Sequence, residues 1–456
     1  MNKKYFLKTL GCQMNILDST YIQILLNRVG SQTQDIRQAD IIILNTCSVK
    51  ETSENKLLNI LNFVKKIKKY RKNVFISVVG CFVEKINFLF FKSHTYINCY
   101  VSPNYIHCIL YFLKIFFLTS STHICICKKK QIVKKNVKTQ LNFIEDIIKF
   151  NLSCSDTSSQ KVYIRIMKGC NKFCTYCIVP YTRGLEFCRS LESIITDIKS
   201  VRYKDVKEII LLGQSVNHYY HRNINFYKLL YIISNTISTK TKIKFLTNYP
   251  KNIVYPLLNL MKKTNRILNI LHIPIQSGSN KILKKMNRNY TKESYAHIVN
   301  IAYKKIPNLL ISSDMIVGFP GECTYDFRES INILKYTRYS NLFISQYSPR
   351  PKTVSYIYNT DDICKSVKSA RHNYMLKVQS NLSYLKNHTL LNQIFRADIT
   401  YVYNSDFYIN KVILIAKTHG NQQIIFTFNS KFFFNKEVLI KVTKVYKSKI
   451  FGEILL

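Results

Sequence analysis

Apolar runs alternate with amphipathic segments over the first 85 residues of the chain. Residues 5–10, 41–44 and 74–79 are apolar enough to form buried strands. Between these runs, apolar side chains recur at helical spacing, and Gly30 is suited to end the first helix. The order strand, helix, strand predicts an N-terminal α/β domain with a parallel sheet and crossover helices.

A second α/β pattern begins at residue 161. Six apolar segments with strand character are separated by helical segments, which predicts a partial (βα)6 barrel with functional groups at the C-terminal strand ends. The six segments are residues 162–167, 208–212, 242–246, 268–275, 309–317 and 342–347.

The pattern changes again after residue 385, where short β-rich segments alternate with turn residues. Residues 394–403, 407–416, 423–428 and 438–446 predict a small all-β barrel. We therefore expect three domains, at residues 1–150, 155–385 and 386–456. Residues 85–155 give little information, and we interpret their five cysteines as incidental: Cys99, Cys108, Cys125, Cys127 and Cys154.

The net positive charge favours a polyanionic partner, but codon usage is a second possible source of this charge. The 456 residues include 68 Lys and Arg but only 25 Asp and Glu, a formal net charge of +43. Such a field attracts nucleic acid. However, Lys, Asn, Ile, Tyr and Phe are abundant and Trp is absent, which is also the outcome of AT-rich codon usage. The charge alone is therefore modest support for RNA.

The cysteine count is more informative than the charge. The chain has 14 cysteines but no apolar signal core near Met1, so we expect a reducing, cytoplasmic location in which clustered cysteines bind metal or do chemistry. No run of about 18 uncharged apolar residues occurs, so we expect no membrane span.

Three cysteines follow three predicted strands of the N-terminal sheet. Cys12, Cys47 and Cys81 each come directly after an apolar run. The C-terminal ends of parallel strands share one edge of a sheet, so these side chains should converge there. The pattern favours a metal site over the alternative, three buried structural cysteines.

The strongest motif is C-x3-C-x2-C, formed by Cys170, Cys174 and Cys177 directly after a predicted strand. Three thiolates on one short loop can bind three irons of a [4Fe–4S] cube and leave the fourth iron open. A zinc site completed by Cys188 is the alternative, because structural zinc needs four protein ligands.

This loop, with Tyr176 before its last cysteine, resembles that of the radical S-adenosylmethionine (SAM) enzymes. The wider sequence resembles the MiaB-type tRNA methylthiotransferases. The matching blocks are TLGCQMN (9–15), NTC (45–47), GC (80–81), GCNKFCTYCIVPYTRG (169–184), LLGQSVN (211–217), LHIPIQSGS (271–279) and SSDMIVGFPGE (312–322). VLIKVTKVYKSKIFGEI (438–454) resembles the last strands of the RNA-binding TRAM domain of that family.

The resemblance implies a reaction on tRNA. Enzymes of this type replace the C2 hydrogen of N6-isopentenyladenosine, next to the anticodon, by a methylthio group, using SAM both as methyl donor and as radical source. It implies a radical SAM [4Fe–4S] cluster on Cys170, Cys174 and Cys177. It also implies an auxiliary [4Fe–4S] cluster on Cys12, Cys47 and Cys81, and an unidentified electron donor acting on a monomer.

Residues at the predicted strand ends are candidates for further contacts. SAM contacts are expected at Gly213, Gln214, Gln276, Ser277 and Asp314, with hydrogen bonding within loops as the alternative, and Gly318 and Gly321 could allow close backbone approach to adenine or ribose. Arg183 and Arg189, which follow the cysteine loop, are expected to contact SAM or tRNA phosphate, or else to pair with Glu186 or remain solvated. The lysines expected at RNA phosphates are Lys411, Lys417, Lys441, Lys444, Lys447 and Lys449.

Two other functions remain open at this point. One is a sister methylthiotransferase, which acts on threonylcarbamoyladenosine in tRNA or on an aspartate of a ribosomal protein. The other is a basic RNA-binding protein with vestigial iron–sulfur sites and no enzymatic activity.

Overall fold

The computed structural model describes residues 3–48, 51–86, 88–119, 125–127, 161–201, 206–403, 412–418, 423–428, 437–447 and 449–455. The chain divides into two compact units. Unit 1 comprises Met1–Asn225, Asn235–Thr241 and Ser348–Tyr358, and unit 2 comprises Phe226–Ser234, Lys242–Tyr347 and Asn359–Leu456. The division into three domains stays a prediction.

Unit 1 begins with a parallel sheet of six strands in the order β2-β1-β3-β4-β5-β6. The predicted N-terminal α/β domain is confirmed, and the structure adds three strands that the sequence pattern did not indicate. The strands are β1 (Lys3–Leu10), β2 (Gly30–Gln32), β3 (Ile41–Thr46), β4 (Phe75–Gly80), β5 (Cys99–Val101) and β6 (Cys125–Cys127).

Both faces of this sheet are covered, which explains the unbroken apolar runs. On β3, Ile42 and Leu44 pack into one core, whereas Ile41 and Ile43 pack into another on the opposite face. The helices of this part are Gln13–Leu26, Glu51–Tyr70, Phe82–Lys85, Phe88–Ser93 and Ile109–Thr119, with 3-10 turns at Ile36–Gln38 and Pro103–Cys108.

The rest of unit 1 contains the beginning of the second α/β region. Strand β7 (Lys161–Arg165) pairs in parallel with β10 (Glu208–Leu212). Strands β8 (Met167–Lys168) and β9 (Phe187–Cys188) form a short antiparallel ladder at the two ends of the C-x3-C-x2-C loop. The remaining elements are β11 (Tyr220–His221), β12 (Ile224–Asn225), the helices Val179–Arg183, Leu191–Val201 and Val354–Tyr358, and a 3-10 turn at Val216–His218.

Unit 2 carries the later strands of this region. Strand β13 spans Lys242–Phe245, and β14 (Ile270–His272), β15 (Leu310–Val317) and β16 (Asn341–Gln346) form a parallel sheet. Strands therefore occur in all six predicted segments. The helices are Phe226–Thr236, Tyr255–Lys263, Asn280–Lys285, Lys292–Lys305, Thr324–Thr337 and Lys365–His388, with a 3-10 turn at Pro250–Asn252.

The C-terminal segment of unit 2 forms a closed barrel of five strands in the order β17-β18-β19-β21-β20. The strands are β17 (Ile394–Tyr403), β18 (Val412–Thr418), β19 (Gln423–Phe428), β20 (Glu437–Val445) and β21 (Ile450–Leu455). The small all-β barrel is thus found, with one strand more than the four predicted. Its assignment as a TRAM domain stays a prediction, and Lys411 lies outside the described residues.

Among the described residues, the helices are all too short or too polar to cross a bilayer.

Candidate metal centres

The three strand-end cysteines of the N-terminal sheet lie together in unit 1. Cys12 follows β1 and begins the helix Gln13–Leu26, Cys47 follows β3, and Cys81 follows β4. Cys47 and Cys81 are buried, whereas Cys12 is exposed. A β-carbon on Gly11 would lie only 2.6 Å from the Cys47 β-carbon, so glycine is needed where these two strand ends meet. We call this site the three-cysteine pocket.

Buried amides fix the backbone around the three-cysteine pocket. Asn15 donates to Asn45 Oδ1 (3.1 Å), and Asn45 in turn donates to the Asn15 carbonyl (2.8 Å) and to Ser19 Oγ (2.9 Å). Ser19 also accepts from Thr9 Oγ1 at 2.6 Å. This network joins the end of β1, the end of β3 and the first helix, and so it holds Cys12 and Cys47 at fixed positions.

A cation from a distant part of the sequence enters the same pocket. Arg183, the last residue of the helix Val179–Arg183, donates to Asp18 Oδ2 at 2.9 Å and to Asn15 Oδ1 at 3.1 Å. Its guanidinium also hydrogen-bonds to the Cys81 sulfur. Asp18 Oδ1 also accepts a hydrogen bond from the Arg165 guanidinium at 3.3 Å.

The electrostatics of the pocket favour one thiolate. A hydrogen bond from Cys47 lowers the pKa of Cys12 from 9.0 to about 6, and the nearby Arg183 guanidinium adds to this shift. Burial raises the pKa of Cys81, and Arg183 opposes that effect. Burial alone would lower the pKa of Arg183, but Asp18, Cys81 and Cys12 hold it above its ordinary value.

The pocket brings three thiols to one edge of the sheet, which is the donor set that a [4Fe–4S] cube with one open iron takes. In the described residues, no three His, Cys, Asp or Glu side chains come close enough to coordinate one metal ion. The Ser48 hydroxyl, directly after Cys47, is buried and has no hydrogen-bond partner among the described residues, so the pocket also offers a polar group to a cluster.

The second cysteine triad lies on the loop between β8 and β9. The Cys170 amide donates to the Gly184 carbonyl (3.2 Å), which closes the base of the loop, and the Lys172 amide approaches Cys170 Sγ at 3.5 Å. The Cys177 amide donates to the Cys174 carbonyl (2.9 Å), which turns the end of the loop into the next helix. Burial raises the pKa of Cys170.

This loop carries the three thiols that the proposed cluster needs. Its three cysteines are half-buried, and Phe173 between them adopts a positive φ of 44°, which turns the backbone sharply inside the loop. Cys188 pairs with Met167 in the ladder beside the loop. The zinc site completed by Cys188 stays an alternative prediction.

The residues expected at SAM are divided between the two units. In unit 1, Gly213 and Gln214 follow β10, and a β-carbon on Gly213 would collide with the Met167 side chain. Glycine at this position is therefore required by packing against the strand that leads to the cysteine loop. The assignment of both residues to SAM binding stays a prediction.

In unit 2, Gln276 and Asp314 lie side by side. The Gln276 amide donates to the Asp314 carbonyl at 2.9 Å, and Gln276 adopts a positive φ of 73°. His272 Nε2 contacts Asp314 Oδ2 at 2.9 Å, while its Nδ1 contacts Ser312 Oγ at 2.9 Å. The Asp314 side chain remains 37% exposed, so this polar group can still receive a ligand.

Three other residues expected near SAM form hydrogen bonds within the protein. Ser277 is buried, and its hydroxyl accepts from the Ser279 amide at 3.2 Å. The Gly318 amide donates to Glu322 Oε2 (3.1 Å), and the Gly321 amide donates to Asp362 Oδ1 (2.8 Å). These hydrogen bonds are the alternative considered for such strand-end residues, and contact of these residues with SAM stays a prediction.

The two arginines after the cysteine loop have partners that the sequence did not reveal. Arg183 pairs with Asp18, and Arg189 pairs with Asp197 at 2.7 Å. Glu186, the alternative partner considered for both, contacts His218 Nδ1 at 2.6 Å. Asp18 lies 165 residues from Arg183, so sequence spacing could not indicate that pair, whereas Asp197 comes only eight residues after Arg189. Contact of either arginine with SAM or tRNA phosphate stays a prediction. The available signal was Asn15 and Asp18, two polar residues one turn apart that are buried in the first helix.

Comparison with known proteins agrees with this geometry. Residues 164–334 match the model of the Radical SAM superfamily, and residues 4–102 match Uncharacterized protein family UPF0004. The solved radical S-adenosylmethionine methyltransferase TsrM from Kitasatospora setae, with cobalamin and a [4Fe-4S] cluster bound, has a similar fold. The TM-score is 0.54 at 11% identity, over 78% of this chain and 77% of that one.

Curated relatives extend the similarity to the full length. The tRNA-2-methylthio-N(6)-dimethylallyladenosine synthase of Petrotoga mobilis is 32% identical over 99% of both chains. The chain belongs to this family of tRNA methylthiotransferases. The synthase of the same name from Thermoanaerobacter sp. is 36% identical over 86% of this chain and 81% of the relative.

Membership in this tRNA methylthiotransferase family makes the chain a radical SAM enzyme that uses SAM and [4Fe–4S] chemistry. The predicted family, fold class and enzyme class are thereby confirmed. The non-enzymatic alternative is not supported.

Proposed function

We propose that this enzyme replaces the C2 hydrogen of N6-isopentenyladenosine, next to the tRNA anticodon, by a methylthio group. The observation that carries the proposal is the convergence of three strand-end cysteines in unit 1, in addition to the C-x3-C-x2-C loop of the same unit. A radical SAM enzyme that only cleaves SAM needs one cysteine triad, whereas sulfur insertion needs a second centre. The names of the curated relatives support the same substrate.

In this proposal each of the two cysteine sets binds one cluster with its own role. Cys170, Cys174 and Cys177 hold the cluster that binds SAM, and Cys12, Cys47 and Cys81 hold an auxiliary cluster. Bound there, the two clusters supply reductive SAM cleavage and a site for the transferred sulfur. The chain itself must exclude water from both, and burial of Cys47 and Cys81 serves this purpose.

Asp314 and Gln276 are proposed to orient SAM. Asp314 keeps an exposed carboxylate edge while His272 fixes its other oxygen, so it can accept a hydrogen bond from a ligand hydroxyl or amine without moving. Gly213, Gln214 and Ser277 complete the proposed set, with Gly213 and Ser277 acting through backbone and packing.

The C-terminal barrel is proposed to bind the tRNA backbone as a TRAM domain. Its exposed residues include Lys444, Lys447 and Lys449, and Tyr446 beside them is 57% exposed. Lysines attract phosphates and an exposed ring can stack on an unpaired base, so this end of the barrel suits single-stranded or looped RNA. Lys441, which is half-buried, belongs to the same proposed surface, and the side chain of Lys417 lies outside the described residues. We further propose a cytoplasmic monomer that receives electrons from a separate donor.

Expression in a bacterium that lacks its own tRNA methylthiotransferase tests the proposal. We expect mass spectrometry of tRNA nucleosides to detect 2-methylthio-N6-isopentenyladenosine. Cys12→Ala and Cys170→Ala should each abolish the product, whereas Cys188→Ser, a cysteine outside both triads, should retain it. Methylthiolation of threonylcarbamoyladenosine instead would assign the chain to the sister branch.

A further inference from the structure

Arg183 is a buried cation directly beside the three-cysteine pocket. The residue is 6% exposed, and its guanidinium is fixed by Asp18 at 2.9 Å and by Asn15 at 3.1 Å. A third hydrogen bond reaches the Cys81 sulfur. An arginine held rigidly by two side chains keeps its charge in one place and cannot turn towards solvent.

The charges around Arg183 do not cancel within the described network. Asp18 is shared between Arg183 and Arg165, and Asp197 pairs with Arg189. Three guanidiniums therefore face two carboxylates, so the remaining positive charge beside the pocket is left to the cysteine sulfurs to balance. Burying an uncompensated charge is costly, so such a site favours an additional anion. The sulfur atoms of the cysteine pocket lie where that anion would be.

We propose that Arg183 is a positioning residue for the auxiliary cluster, supplying the fixed positive charge on its buried side and raising its reduction potential. This inference rests on the proposed function, because it requires a cluster on Cys12, Cys47 and Cys81. Reduction adds negative charge to an iron–sulfur cluster, and an adjacent cation stabilises the reduced form more than the oxidised form. Arg183 also follows the loop of the second triad, so one short helix connects the two cysteine sets.

A purely structural role for Arg183 makes a different prediction. If Arg183 only linked the helices Val179–Arg183 and Gln13–Leu26 through hydrogen bonds, its loss would affect folding and cluster loading. It would not change the reduction potential of a cluster that has assembled. The reduction potential therefore separates the two roles.

The test uses the full-length chain with Cys170, Cys174 and Cys177 changed to alanine, so that only the auxiliary cluster assembles. Its reduction is followed by electron paramagnetic resonance during a potentiometric titration. Three variants are compared in this background: Arg183→Gln, Arg183→Lys and, as the matched control, Arg165→Gln, which also removes a bond to Asp18.

We expect Arg183→Gln to lower the ratio of reduced to oxidised cluster at fixed potential at least tenfold, a shift of about 59 mV for a one-electron couple. Arg183→Lys should lie between this variant and the parent, and Arg165→Gln should shift the ratio less. If Arg183→Gln loads no iron, the potential of Arg183→Lys decides: a potential below that of the parent supports the charge role, and an unchanged potential or a failure of both variants to load overturns it.

Equal potentials in the parent and Arg183→Gln, or equal shifts in Arg183→Gln and Arg165→Gln, would overturn the role of Arg183 and leave the proposed function intact. A parent that binds no iron at the three-cysteine pocket would instead overturn the auxiliary site, and the role of Arg183 with it.

Discussion

Replacing Gly169 with alanine should destabilise the cysteine loop far more than the same change at Gly184. Both glycines have positive φ, 71° and 84°, so alanine is strained at either position by roughly 1–3 kcal/mol. Their surroundings differ. A β-carbon on Gly169 would overlap the Leu185 carbonyl oxygen and lie 2.5 Å from that of Gly184, whereas a β-carbon on Gly184 would meet nothing within 4 Å.

The collision at Gly169 cannot be relieved by a side-chain rotation, because both obstacles are backbone oxygens. The Gly184 carbonyl also accepts the Cys170 amide, so moving it breaks the hydrogen bond that closes the loop. We expect overpacking to add about 1–3 kcal/mol to the strain. Gly169→Ala should therefore cost roughly 2–6 kcal/mol as the sum of these two terms, against roughly 1–3 kcal/mol for Gly184→Ala.

The two variants can be compared by urea titration of the reconstituted protein, following the visible absorbance of the clusters. In the background lacking Cys12, Cys47 and Cys81, this signal reports only the cluster on the loop. We expect Gly169→Ala to lose its cluster at clearly lower urea than Gly184→Ala. Equal midpoints for the two variants would refute the reasoning, because only the collision distinguishes them.

Three further predictions concern other parts of the chain. Gly80→Ala, at φ 104° and against a carbonyl of β3, should reduce auxiliary iron while SAM cleavage persists, as measured by iron analysis and 5′-deoxyadenosine release. Burial opposes ionisation of Asp326, but hydrogen bonds lower its pKa from 3.8 to about 2. The ionised Asp326 therefore stabilises the fold above pH 3.8, and this stabilisation is lost as the pH falls through 2. In Asp326→Asn, the free energy of unfolding measured by circular dichroism should depend less on pH over this range. Arg350→Met removes one of the two cations paired with the buried Glu54 and leaves Lys85, so it should cost roughly 1.5–3 kcal/mol in urea unfolding; an unchanged midpoint would contradict the importance of this pair.

The sequence was sufficient to place both cysteine triads, for a topological reason. Parallel strands end at the same edge of their sheet, so cysteines after strands far apart in sequence must come close together. Strand patterns at residues 41–44 and 74–79 were clear because both sheet faces are buried there. For the C-x3-C-x2-C loop, the spacing of the cysteines along the sequence was enough to predict that they lie together.

Strands β5 and β6 and the partners of Arg183 were not predictable in this way. Each of the two strands has only three residues, too few for a periodic pattern. The pair between Arg183 and Asp18 spans 165 residues, and no local rule connects them. The carboxylates that accept the amides of Gly318 and Gly321 were also not predictable, since Asp362 lies 41 residues from Gly321.

The most direct test of the central claim is product formation by the purified, reconstituted enzyme. It would be incubated with SAM, a reductant and either of two anticodon stem-loops, one carrying N6-isopentenyladenosine and one carrying unmodified adenosine at the same position. We predict that mass spectrometry will find a methylthio group replacing hydrogen on the isopentenylated base alone. SAM cleavage without a methylthio product on that stem-loop, from protein carrying both clusters, would contradict the account.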